Sequence, residues 1–178
     1  GLAADIAHSR PHLFSATAVF MAPETLQAMA AIVTAVEAVV ALPAYQAEAL
    51  ARAPAIARLD PGPQGVFMGF DFHLGHPGEA SDSRESVPQL IEINTNAGGA
   101  LLNAALARAH RSCCAAMDEA LQLGPQAPDL DATFAAMFRA EWRSQRGDAP
   151  WRTVLIVDDA PQAQYLAPEF AMARAWFR

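Results

Sequence analysis

Gly69-Phe70-Asp71-Phe72-His73-Leu74, followed by Pro88-Gln89-Leu90-Ile91-Glu92-Ile93-Asn94-Thr95-Asn96-Ala97-Gly98-Gly99, is the part of the chain whose reading decides the fold. Successive residues of a strand point to opposite faces. Glu92 and Asn94 therefore share a face, Ile91 and Ile93 are expected to point into a core, and Asp71 is set in the same way between Phe70 and Phe72. If the two runs pair antiparallel, two carboxylates and one amide oxygen converge on one patch, with a glycine loop just beyond it. Hard oxygen donors of that kind suit Mg²⁺. The ordinary alternative is an exposed strand whose polar residues are simply wet. Against it stands the ordered coincidence of Asp71, Glu92, Asn94, Asn96 and the Gly98-Gly99 pair.

Outward from the hairpin, helical spacing dominates. Pro23 suits the first turn of a helix whose apolar face is Leu26, Met29, Val33, Val36 and Val40. Pro43 interrupts it, Ala44 to Ala53 reads as a second short helix, and Asp60-Pro61-Gly62-Pro63 is a turn that delivers the chain into the first strand. The connection from Gly75 to Ser86 is polar, turn-rich and expected to be mobile. After Gly99, Leu102, Leu106, Ala109, Cys113, Met117 and Leu121 trace one side of a long helix. Free N–H groups at its start are placed to face an anion, with Asn96, Gly98 and Gly99 shaping the loop. Gly124-Pro125 ends it, and Leu130, Phe134, Met137 or Phe138, and Trp142 define the next. Gly147-Asp148-Ala149-Pro150 reads as a linker, after which Thr153 to Val157 is a continuous apolar run of the sort buried in a parallel sheet.

Composition bounds the function. Of the 178 residues 53% are hydrophobic and 17% charged, which describes a soluble globular protein rather than a disordered one. A net charge of −7 argues against a nucleic-acid partner. The apolar run from Ala28 to Leu42 is too short for a bilayer span, contains Glu37 and lacks a basic flank, so no membrane partner is expected. Cys113 and Cys114 are adjacent within a helical pattern, which disfavours a mutual disulfide and points to a reduced, cytoplasmic protein. His73 shares a face with Asp71, and His76 follows in the loop. A transition-metal site there has no firm ligand spacing, and a place near phosphate or substrate is the other reading of His73.

The ordered set of Gly-Phe-Asp-Phe-His-Leu, then Leu-Ile-Glu-Ile-Asn-Thr-Asn-Ala-Gly-Gly-Ala-Leu-Leu-Asn, then Val-Leu-Ile-Val-Asp-Asp with Gln164-Tyr165-Leu166-Ala167-Pro168-Glu169-Phe170, resembles bacterial, circularly permuted ATP-grasp proteins, a group whose substrate the resemblance does not supply. It covers about residues 64 to 178, and the connection from Gly75 to Val87 is longer than in many relatives. The resemblance implies an α+β fold: an antiparallel hairpin or sheet of ATP-grasp type packed with several helices, followed by the first βα unit of a Rossmann-like domain. It divides the chain into residues 1–147, with the metal hairpin, and residues 148–178. It also implies Asp71, Glu92 and Asn94 as ligands for Mg²⁺, or Mn²⁺ in its place, with Asn96, Gly98 and Gly99 beside bound ATP. No catalytic residue is identifiable.

The activity so implied is ATP-dependent ligation of a small-molecule carboxylate to an amine or thiol through an acyl phosphate. All 12 basic residues are arginine. ATP-grasp enzymes generally hold phosphates with lysines from the other half of the cleft, so this chain is expected to be the N-terminal portion of a longer protein and inactive alone. The rival expectation is a noncatalytic interaction or regulatory module on the same fold. A third reading, from the resemblance of Val154-Leu155-Ile156-Val157-Asp158-Asp159 to the first strand and acidic pair of a receiver domain, lacks the later phosphoacceptor Asp and the Lys. Finally, the apolar surface of residues 151–178 is expected to pack on the preceding helices or to pair with a second copy in a homodimer.

Overall fold

The computed structural model describes residues 6, 8–15, 17, 19–74, 87–113 and 129–178. Its elements are α1 (Pro23–Val40), α2 (Pro43–Arg52), a 3-10 turn (Ala55–Arg58), β1 (Gly69–Leu74), β2 (Pro88–Asn94), α3 (Ala100–Cys113), α4 (Leu130–Arg146) and α5 (Ala167–Trp176). The chain is α+β, and its described sheet consists of β1 and β2 alone. It divides into two compact units that interleave in sequence: Ala18–Gly62 with Met68–Thr95, and Gly1–Thr17 with Pro63–Phe67 and Asn96–Arg178. The division therefore does not follow a boundary near residue 147, and residues 148–178 belong to the same unit as α3 and α4.

In the hairpin unit, α1 and α2 each begin on a proline, whose missing N–H costs nothing in the first turn. Met29, Ile32, Val33 and Val36 form a half-covered stripe on α1, which contacts β2, whereas Leu26 and Val40, expected on the same buried face, are exposed. Because α1 starts at Pro23, its 18 residues make it long and apolar enough to cross a membrane by length and composition, which the run from Ala28 to Leu42 was not. The polar connection at residues 75–86, with His76, and residues 114–128, with Cys114, Met117 and Leu121, lie outside the described residues.

β1 and β2 pair antiparallel with Phe70 opposite Ile93, Asp71 opposite Glu92, Phe72 opposite Leu90, His73 opposite Gln89 and Leu74 opposite Pro88. Between Asp71 and Phe72 the register shifts, so Ile91 is an extra residue without a partner, a β-bulge. The bulge resolves a conflict in the sequence. Leu90 and Glu92 are two apart and would share a face in a regular strand; with one residue inserted, Leu90 joins Phe72 while Glu92 joins Asp71. It also corrects the expectation that Ile91 and Ile93 point into a core, for they are 66% and 37% exposed.

The second unit holds the buried hydrophobic residues among those described: Ile6, Leu101, Leu102, Ala104 and Ala173. α3 contacts α5, and Arg108 on α3 pairs with Asp131 on α4 at 3.2 Å. Asp129 caps α4 by accepting from the N–H groups of Asp131 and Ala132 at 3.0 and 3.1 Å, and Gly147 ends it at φ 56°. What reads as a linker is pinned back, because the Trp142 indole donates to the Ala149 carbonyl at 2.7 Å. An aromatic cluster then ties the C-terminal segment to α4. Phe138 meets Phe177 edge to face at 5.1 Å, Trp142 stacks with Trp151 at 6.3 Å, and Phe67 meets Phe134 at 5.1 Å.

Residues 151–178 thus pack on the preceding helices through their aromatic side chains, but not through the expected strand. The run from Thr153 to Val157 carries no strand, and Leu155 and Val157 are 82% and 87% exposed. A βα unit needs a neighbouring strand to pair with, and the described residues of this unit contain none. α5 does form, with Pro168 and Glu169 in its first turn.

Candidate functional site

Asp71 and Glu92 stand directly opposite one another, so their side chains leave the same face of the hairpin, with Cβ atoms about 5 Å apart in such pairs. Asn94, opposite Gly69, lies two residues beyond Glu92 on that face, and glycine leaves the space beside the amide open. His73 and Gln89 continue the polar row on the other side of the bulge. All five polar side chains are exposed. Among the described residues neither Asp71 nor Glu92 has a hydrogen bond or ion pair through its carboxylate. Like charges directly opposite destabilise a strand pair, and among the described residues no arginine pairs with either carboxylate.

Chemically the face offers two monodentate carboxylates and an amide carbonyl, a partial shell that suits an oxygen-loving divalent cation completed by water or phosphate. Among the described residues no three His, Cys, Asp or Glu side chains gather closely enough to hold a metal by themselves. His73 therefore does not join Asp71 and Glu92 in a transition-metal site.

Asn96, Gly98 and Gly99 fall in the other unit. Gly99 has φ +95° and its carbonyl accepts the first helical bond of α3, from Asn103 N–H at 2.8 Å, which makes it the N-cap. A glycine cap has no side chain to offer the helix. That part is supplied from α5: the Glu169 carboxylate accepts from Gly99 N–H at 2.5 Å through Oε2 and from Leu101 N–H at 2.8 Å through Oε1. The N–H groups expected to face an anion are thus engaged by a carboxylate from 70 residues away in sequence. Gly98 lies under the same contact, where a Cβ would come within 2.8 Å of Leu166 Cδ1.

Asn96 and Gly98 line an open cleft of about 740 Å³ whose walls include Phe138, Trp142 and Tyr165. Its charged groups are Glu141, Asp158 and Glu169, with no basic residue among those lining it. Each of these acids is engaged: Glu141 accepts from Gly65 N–H at 2.9 Å and Asp158 from Asp159 N–H at 2.7 Å. A phosphate entering here meets negative charge and occupied donors. Glu169 was legible only as an ordinary acid in a helix's first turn, since its partners lie about 70 residues upstream. Because alanine is strained at φ +95°, Gly99→Ala is expected to cost about 1 kcal/mol; an unchanged melting temperature would count against this cap geometry.

Compared with family models, curated proteins and solved structures, the chain gives no match. What the site can do therefore rests on its own residues and on the ordered motifs that carry them.

Proposed function

We propose that the chain is part of an ATP- and Mg²⁺-dependent ligase that joins a carboxylate to an amine or thiol through an acyl phosphate. The carrying observation is the direct opposition of two carboxylates, Asp71 and Glu92, neither of them paired among the described residues, with Asn94 on the same exposed face. A Mg²⁺ ion held there has open positions for nucleotide phosphates, and would neutralise charge on the β- and γ-oxygens as the phosphoryl group passes to the carboxylate. The chain's part is to position the ion. The hairpin face itself offers phosphate no cationic side chain among the described residues, so the ion is what would meet the phosphate charge there.

Two experiments test this reading. With Mg²⁺ present, ADP is expected to bind at least about tenfold more tightly than in EDTA, and Glu92→Gln to abolish the difference; metal-independent ADP binding would overturn the site. Incubated with ATP, Mg²⁺ and mixed carboxylates and amines, the chain alone is expected to release little ADP, since a hairpin face as exposed as this one neither encloses phosphate nor excludes water. Robust, Glu92-dependent ADP release would refute this expectation.

A second reading, a noncatalytic interaction or regulatory module on a similar fold, is favoured by one observation. Glu169 occupies the α3 N-terminus with the geometry a ligand anion would need. A module that has no nucleotide to bind gains stability from such a plug. Under this reading Mg²⁺ leaves ADP binding unchanged.

A further inference from the structure

The segment from Trp151 to Ile156 is a wall common to two clefts of the second unit, and the charges on its two sides are segregated. One side is the acidic cleft, with three carboxylates and no base among the described residues lining it. The other is an open cleft of about 780 Å³ lined by Arg139, Arg152, Arg174 and Arg178, with Asp131 the sole acidic side chain among the described residues lining it. Asp131 is already paired with Arg108. The guanidinium groups of the four arginines have no ion pair or hydrogen bond among the described residues. They are a third of the 12 basic residues in a chain of net charge −7, so their gathering runs against the charge of the whole.

The surroundings add a second kind of chemistry. Trp151, Trp176 and Phe177 also line this cleft and are held in place by one another, with Trp176 against Phe177 at 4.7 Å and Trp151 against Phe177 at 5.6 Å. Guanidinium groups bind phosphate oxygens in pairs, and flat aromatic walls accept a planar ring. A volume of this size matches a small molecule.

We propose that this cleft binds a small aromatic or heteroaromatic compound carrying a phosphate group, with the ring against the tryptophans and the phosphate among the arginines. The site is confined to the second unit and calls for no metal, so it stands apart from the hairpin and from the ligase reading. An acidic peptide laid along Val154 to Ile156 is the rival occupant, but the aromatic lining and the compact volume favour the small molecule.

The test is a titration of the full chain with phenyl phosphate in EDTA, read by tryptophan fluorescence, since Trp151 and Trp176 border the cleft. Saturable quenching is expected, at least tenfold tighter than for benzyl alcohol, with no saturation by benzylamine. The double variant Arg139→Gln/Arg174→Gln is expected to weaken it at least tenfold, and Arg152→Gln/Arg178→Gln serves equally if the first pair disturbs folding as read by circular dichroism. Arg52→Gln, in the other unit, should leave it unchanged. Equal binding of phenyl phosphate and benzyl alcohol, or equal weakening by Arg52→Gln, overturns the proposal. So does arginine-dependent binding of an aspartate-rich peptide without phenyl phosphate binding, which would assign the cleft to a peptide instead.

Discussion

Glu92→Gln and Asp71→Asn are each expected to weaken Mn²⁺ binding at the hairpin at least about tenfold, near 1.4 kcal/mol, and the double variant to abolish it, as read by water-proton relaxation. The two carboxylates face each other across the strand pair, and among the described residues neither has an ion-pair partner. A divalent ion there is attracted by both charges at once, and removing either leaves a single exposed carboxylate, which holds such ions poorly. The same substitution acts in the opposite direction on the metal-free protein. Removing one of two like charges opposite each other relieves the hairpin by up to about 0.5 kcal/mol. A merely wet polar face predicts the relief without the loss of ion binding. Unchanged Mn²⁺ relaxation in Glu92→Gln would therefore leave the hairpin as a solvated surface.

The hairpin was legible because its evidence is local. Period-two alternation around Asp71 and around Glu92 and Asn94 fixes which residues share a face, and one antiparallel pairing brings them together. The bulge was also written there, as the doublet Leu90-Ile91 ahead of Glu92, yet alternation read without it sent Ile91 to a core. The run Val154 to Val157 misled for a different reason. A continuous apolar run states that a segment can be buried in a sheet, whereas burial needs a partner strand, and the described residues of its unit offer helices. α4 was readable from the helical spacing of Leu130, Phe134 and Trp142 and from Gly147 at its end, whereas its Asp129 cap emerged only in the structure. The arginine cleft was not readable at all. Arg139, Arg152, Arg174 and Arg178 are brought to one cleft by tertiary packing, and only the last two show helical spacing in the sequence.

The Glu169 contact is the case where the missing signal has the largest consequence for stability. Glu169→Ala is expected to destabilise the protein by about 3 kcal/mol in thermal or urea unfolding. Glu169 is 9% exposed, and its two carboxylate oxygens satisfy the N–H groups of Gly99 and Leu101 at the buried start of α3. Leaving two donors unpaired there costs about 1–3 kcal/mol each, offset in part by water entering from the adjoining cleft. The residues so capped lead straight into Leu101, Leu102 and Ala104, three of the buried core residues. Fraying at this end therefore opens the packing of α3 against α5 rather than a free helix tip. Glu169→Gln separates charge from hydrogen bonding: its carbonyl keeps one donor satisfied while its amide faces the other, so an intermediate loss of about 1–2 kcal/mol is expected. Phosphate or sulfate added to the alanine variant should restore part of the stability if the vacated helix start accepts an anion. A Glu169→Ala variant within 0.5 kcal/mol of the parent would show that the carboxylate is not what holds α3 to α5.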